Sequence, residues 1–279
     1  MNRRHLAGFG LAAGAASLAA MTHAQAQTPP AESTWDQVHR TGVLRVSAIA
    51  AQEPGFHKDP ATGAWSGSMI AMAADIASNL GVRLEPHETT YGNSILDLQS
   101  NKIDLALALQ ETPKRALVIN FTRPIYQAQF TLLLRNGFEA TDWDDLNKPG
   151  VRIAADLGSV METIARHFAP KAQVIGLADI QAVNMALVAG RADASVGSWL
   201  DGVVALKRNP QLGTLLVPKT PLSMGVYFGT RYEPDTRFVQ FVSAWGEYNS
   251  QMGQTRQWIA DSLTLYGLSP DDVPAGIKL

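Results

Sequence analysis

Two stretches of this chain follow one local plan, and that plan restricts the fold more than any other feature. Leu98-Gln-Ser-Asn-Lys-Ile-Asp-Leu-Ala-Leu and Leu187-Val-Ala-Gly-Arg-Ala-Asp-Ala-Ser-Val each read as a helix end, a tight turn, a basic residue, one apolar residue, an Asp and a buried strand. Similar units surround each copy. Strands are expected at 42–50, 82–89 and 104–109, with helices at 68–80 and 93–100, the first closed by Gly81 as a C-cap. The pattern resumes with strands at 151–155, 173–175 and 193–197 and with helices at 159–168 and 180–189, the latter capped by Asp179. Strands that alternate with helices imply mostly parallel sheets covered on both faces. The expected class is therefore α/β, with two lobes. Extended passages near 124–132 and 219–226 would form two crossovers, and helices at 234–250 and 255–266 would return to the first lobe. The division expected is 41–127 plus 225–279 for lobe one and 128–224 for lobe two, with a ligand cleft at the strand ends between them.

The start of the chain reads as an address. Arg3-Arg4 precede a small-residue apolar run over 6–21, and Ala24-Gln25-Ala26 supplies an A-x-A cleavage pattern before Gln27. Residues 1–26 are thus read as an export signal, by the general secretory or the twin-arginine route, and 27–40 as a leader with one helical turn near 35–39. Without the signal the chain keeps 21 basic and 25 acidic residues, a formal charge of −4, and no basic stripe that would suggest nucleic acid. No cysteine is present, which excludes a lipoprotein anchor, disulfides and thiol chemistry and suits a bacterial periplasm. The remaining histidines, His39, His57, His87 and His167, lack ligand-like spacing, and Gly158 has no P-loop lysine, so neither a metal nor a nucleotide cofactor is expected.

The richest chemistry lies at Gln110-Glu-Thr-Pro-Lys-Arg115. Thr112 reads as a helix N-cap and Pro113 suits the first helical position, where a missing N–H costs nothing. Arg115 would then sit in the first turn, beside free backbone N–H groups and the positive end of the helix dipole. A cation gains nothing there unless an anion uses it. The segment is a candidate carboxylate receptor; an exposed Arg paired with a nearby acid is the plain alternative.

The order Gly42-Val-Leu-Arg-Val, Phe56, Gly67, Leu80-Gly81-Val, Tyr91, Lys102-Ile-Asp104, Thr112-Pro-Lys-Arg115, Phe121-Thr-Arg-Pro124, Asp145-Leu146, Gly158-Ser159 and Gly190-Arg-Ala-Asp-Ala194 resembles the bacterial extracellular solute-binding proteins of family 3. These are the polar amino acid receptors of ABC importers. The resemblance covers about 41–267 and implies a type II periplasmic-binding-protein fold, a monomeric clamp that closes on one small solute and hands it to a membrane permease. It implies that Arg115 holds the ligand carboxylate, that Tyr91 stacks on the ligand, and that Gln110 takes a carboxylate-contacting position usually held by Ser or Thr. Ser159 and Val160 would complete the carboxylate cage from the second-lobe helix start, and Phe56 is included among the expected contacts.

Departures from the family pattern are as informative. The acid that takes the ligand's α-amino group is replaced by Ser198, and the acidic pair of the first helix start is missing from Gly67-Ser-Met-Ile-Ala71. Glu53 and Asp156 are acids at places where the family carries other residues. Either one substitutes for the missing acid, or the ligand is a carboxylate without a standard α-amino group. The expected function is a non-catalytic receptor. The alternatives are a lyase resembling the cyclohexadienyl dehydratases on the same fold, with Glu53 or Asp156 as acid, and a periplasmic sensor or accessory protein.

Overall fold

A computed structural model describes residues 32–269 and Asp272; the signal expected at 1–26 and the first residues of the leader lie outside the described residues. In the first lobe, α1 (Thr34–Thr41) leads into β1 (Val43–Ile49), a two-residue hairpin of β2 (His57–Lys58) and β3 (Trp65–Ser66), α2 (Ser68–Leu80), β4 (Arg83–Thr89), α3 (Tyr91–Gln99), β5 (Leu105–Leu109), α4 (Pro113–Ala116) and β6 (Ile119–Phe121). β7 (Tyr126–Leu134) crosses to the second lobe. There α5 (Trp143–Leu146), β8 (Arg152–Asp156), α6 (Val160–Phe168), β9 (Gln173–Leu177), α7 (Ile180–Val188), β10 (Ala194–Ser198), α8 (Trp199–Arg208) and β11 (Thr214–Leu216) follow. β12 (Leu222–Arg231) crosses back, and α9 (Arg237–Gln251) and α10 (Gln254–Thr264) close the chain.

Strand order is β4-β1-β5-β12-β7-β10-β8-β9. The strands of each lobe pair in parallel, β1 with β4 and β5, and β8 with β9 and β10. The crossing strands are antiparallel. The first half of β12 pairs with β7 and the second half with β5 and β6, so one strand belongs to both lobes. The boundaries expected at 127/128 and 224/225 fall inside these crossing strands. This is the two-lobed α/β arrangement with two crossovers that the pattern implied.

Local signals explain most elements. Gly81 adopts φ 67 and its N–H caps Ala77 and Ser78, as the C-cap reading required. Thr112 accepts from Arg115 N and Pro113 opens α4. The helical turn expected near 35–39 within the leader extends to the whole of α1, because Val38 buries completely and Thr34 N donates to the Glu233 carboxylate at 3.0 Å. α8 had no clear periodic signal. Its boundary is set by Ser198, which caps Asp201 N.

The repeated Asp has one structural job in both lobes. Asp104 accepts from Arg45 N, Nε and Nη2, and Asp193 accepts from the same three nitrogens of Arg152, at 2.9, 3.1 and 2.8 Å, plus Arg135 Nε. Each acid locks the turn before its strand to the start of the lobe's first strand. Burial pushes the Asp193 carboxyl up, but the hydrogen bonds from Arg152 and Arg135 outweigh it and hold the group at about 2. Asp193→Ala should therefore cost about 3 kcal/mol, read as a lower urea midpoint with an unchanged slope. This contribution is present above the ordinary Asp range and fades as pH falls towards about 2, so the deficit should shrink in acid. An equal deficit at all pH values would contradict it.

Candidate functional site

Between the lobes lies a cavity of about 30 Å³, room for little more than a water or two, so the cleft is nearly shut. The first lobe contributes Gln52, Phe56, Ser68, Tyr91 and Gln110; the second contributes Met161, Ser198 and Asp201. Tyr126 and Phe130 of β7 form the back wall. Ala108 of β5, also in the wall, holds a left-handed φ of 57, and so does Ala51 immediately before Gln52, with φ 58. Backbone strain of this kind concentrates at binding sites, where surrounding packing over-determines it.

Arg115 bridges the cleft. Its Nη1 donates to the Gln110 carbonyl at 3.0 Å in its own lobe and its Nη2 to the Gly158 carbonyl at 3.1 Å in the other. Burial lowers its pKa, while Tyr91 and Asp156 raise it. Among the described residues no carboxylate pairs with Arg115. The expected ring of free amides around it is corrected, however. α4 is only four residues long and Arg115 N is spent on Thr112 Oγ1, which leaves the guanidinium as the group there able to meet an anion.

The second-lobe helix start differs from expectation in the same way. Ser159 Oγ donates to the Asp156 carbonyl at 2.6 Å and accepts from Glu162 N, and Ser159 N also donates to Asp156 O. Gly158 N donates to Glu162 Oε2 at 2.9 Å. The helix thus supplies its own anion, held in turn by Arg166, and Ser159 acts as a cap with its hydroxyl proton already given to the Asp156 carbonyl. Val160 is buried in the core.

Tyr91 is the first residue of α3, after Thr90 as N-cap, and is buried in the cavity wall. Burial first, then Asp201, Tyr126 and Asp156, hold its phenol proton well above the usual range, while Arg115 opposes them. Phe56 and Gln110 line the cavity. Glu53 does not: its carboxylate pairs with Arg208 and lies 3.6 Å from His57 Nδ1, in a surface groove that shares Asp201 with the cavity. A residue already neutralised by an Arg is a poor replacement for a ligand-binding acid.

Asp156 is different. It is 1% exposed and neither carboxyl oxygen has a partner. Burial, with Asp179 and Glu162 adding to it and Arg115 opposing, raises its pKa to about 7. A second acid escaped the sequence reading. Asp201 lines the cavity and accepts from Ser198 Oγ at 2.6 Å, and burial pushes its pKa up to about 6 against hydrogen bonds from Ser198 and Gln52. Asp201 thus places an acid in the cavity wall one helical turn after Ser198. The signal was the Ser198-x-x-Asp201 capping pattern. Gln52 and Ser68 were also missed, and no periodicity marks them. Gln52 Oε1 and Ser68 Oγ are buried in the same wall without partners.

The chain as a whole is similar to known proteins. The chain is 26% identical over 249 residues to a cyclohexadienyl dehydratase of Pseudomonas aeruginosa, covering 84% of this chain and 87% of that one. It is 28% identical over 180 residues to a probable histidine-binding protein of Campylobacter jejuni, covering 63% and 68%. Among solved structures it resembles an ancestral amino acid-binding protein, AncCDT-1, a precursor of cyclohexadienyl dehydratase, with a TM-score of 0.72 and 28% identity over 81% of this chain and 97% of that one. The sequence pattern of the bacterial extracellular solute-binding proteins, family 3, matches residues 45–219, from the first Arg–Asp clamp through the whole second lobe. A two-lobed α/β body with its polar cavity between the lobes, matched over most of its length by that pattern, is a member of the bacterial extracellular solute-binding proteins, family 3.

Proposed function

We propose that this protein is a periplasmic receptor that traps a small carboxylate-bearing solute, an amino acid or a related acid, between its lobes and delivers it to a membrane ABC permease. One observation carries the reading. Arg115 is a largely enclosed guanidinium tethered to both lobes, with no carboxylate of its own among the described residues. A desolvated cation without a counter-charge is costly, and a ligand carboxylate removes that cost. Ligand contacts that exist only when the lobes meet favour closure. Membership in an extracellular solute-binding family carries export with it; a monomer released by the secretory or twin-arginine route fits the N-terminal Arg3-Arg4 segment.

The test is a thermal-shift screen of amino acids and organic acids on protein refolded free of carried-over solute, alongside tryptophan fluorescence. A binder should raise the melting temperature and change the emission of Trp199, which follows Ser198 in the wall. If no carboxylate does either, the receptor reading fails.

The two raised acids also set a pH dependence. With the lobes together, burial holds protons on Asp156 and Asp201 up to about 7 and about 6, whereas solvated Asp titrates near about 3.9. Acids raised by closure favour the closed form at low pH, and that preference is lost as pH rises through 6 to 7. Small-angle scattering of the empty protein should give a smaller radius at about pH 5 than at about pH 8, and Asp156→Asn should flatten the difference. A radius that does not change with pH contradicts this.

A second reading is favoured by those acids together with the Pseudomonas relative. A buried protonated carboxyl in the cleft is suited to protonate a leaving hydroxyl during elimination of water and carbon dioxide. Turnover of prephenate or arogenate, abolished in Asp156→Asn or Asp201→Asn, would replace the receptor reading with this one.

A further inference from the structure

Beside the crossing strands runs a groove of about 670 Å³. Its walls come from the start of β7 in the crossover, the start of α8 in the second lobe and the turn from α9 into α10 in the first. It adjoins the cleft cavity through Tyr126, Ala128, Ser198 and Leu200, which line both. The two spaces differ in charge. The cavity wall holds Asp201, whereas among the described residues lining the groove Arg256 is the one that carries a charge.

α10 begins in this groove without the usual provisions for a helix start. Its N-cap is Gly253, which has no side chain to accept a hydrogen bond, and its first turn contains no acid. The N–H groups of Gln254, Thr255 and Arg256 precede the first bond of the helix, from Gln257 N to the Gly253 carbonyl at 3.1 Å, and so lack an acceptor one turn back. Arg256 stands third in the helix, at the positive end of the dipole, where a cation is unfavourable unless an anion shares the place. Among the described residues no carboxylate pairs with it. A buried hydroxyl adds a separate sign. Thr255, in the groove wall, is 4% exposed and its Oγ1 has no hydrogen-bond partner. Such a hydroxyl is costly where a methyl group of the same shape would serve, unless something uses it.

Open amides, an unpaired guanidinium and an idle hydroxyl are the donors that an oxyanion requires. The groove has the volume of a small-molecule site and far exceeds a bare ion, and Ile125, Leu200 and Ile259 give it an apolar side. We propose that this groove is a second binding site, for a small molecule with an oxyanion head and an apolar body. The head rests on the start of α10 with Thr255 and Arg256, and the body lies against Ile125, Leu200 and Ile259. The site is distinct from the solute site between the lobes and does not depend on what that site holds.

Isothermal titration with phenyl phosphate, inorganic phosphate and phenol separates head from body. Phenyl phosphate should bind about tenfold more tightly than inorganic phosphate, because its ring covers the apolar side, and phenol should not bind measurably. Arg256→Gln should weaken phenyl phosphate on the order of tenfold. Thr255→Val should weaken it about three- to fivefold while the melting temperature of the empty protein stays the same or rises, a combination that a merely structural hydroxyl would not give. Arg115→Ala should leave phenyl phosphate affinity intact, since that guanidinium serves the cleft. No binding of phenyl phosphate, equal binding of phenol, or unaltered affinity in Arg256→Gln overturns the proposal. So does a Thr255→Val protein that melts lower and binds as before, or loss of phenyl phosphate binding in Arg115→Ala. The carboxylate screen that decides the receptor reading is unaffected by any of these results.

Discussion

Gly92→Ala is expected to weaken ligand binding by about ten- to a hundredfold while leaving the melting temperature of the empty protein unchanged or slightly higher. Gly92 is the second residue of α3, in the first lobe, and it touches the backbone of Leu157 and Gly158 in the second. A Cβ added there would lie 2.9 Å from the Leu157 carbonyl oxygen and 3.6 Å from Gly158 Cα. Both neighbours are backbone at a capped helix start, so no flexible side chain can move aside. The helix itself accepts Ala better than Gly. The clash therefore exists only when the lobes meet, and overpacking of this kind costs about 1–3 kcal/mol. Titration calorimetry paired with scanning calorimetry separates the two effects. Unaltered affinity, or a melting temperature lowered by many degrees, would show that this contact does not govern closure.

Arg115→Ala carries the other large effect. Removing one member of an enclosed, hydrogen-bonded charge pair costs about 2–5 kcal/mol, a loss on the order of thirty- to several-thousandfold in affinity. The variant also loses the tie to the Gly158 carbonyl, so part of the loss belongs to closure. A ligand pair resolves the parts. If Arg115 holds the carboxylate, the wild-type chain should strongly prefer an amino acid over its carboxamide, and Arg115→Ala should bind both equally weakly. Arg115→Lys should recover charge but not the fork that reaches the carbonyls of Gln110 and Gly158, and so should restore only part of the affinity. A carboxylate preference that survives in Arg115→Ala would move the anion site elsewhere.

The contrast between the two halves of the site explains why some of it was legible in the residues and some was not. Thr112-Pro113, Ser159, Asp179 and Gly81 announce helix ends through chemistry that acts over three or four residues, and each was found where its spacing said. The Asp104 and Asp193 clamps could be suspected from their matching turns, although their Arg partners lie 59 and 41 residues away. Partner choice across such distances is invisible in a linear pattern. Ser159 shows the limit from the other side. Its hydroxyl looked available for a ligand, but it donates to the Asp156 carbonyl and accepts from Glu162 N, three residues on.

Order along the chain was enough to settle the class of fold, the alternation of helix and strand in two similar units, and the family. The first two follow from side-chain periodicity and turn chemistry, which are local, and the family from the resemblance of its motifs in order. The tertiary structure alone decided that Glu53 pairs with Arg208, that Asp156 is left bare, and that Asp201 faces the cavity. A carboxyl becomes a ligand group or a surface ion pair according to what desolvates it and what charge stands nearby. Both are fixed by residues brought together from opposite lobes.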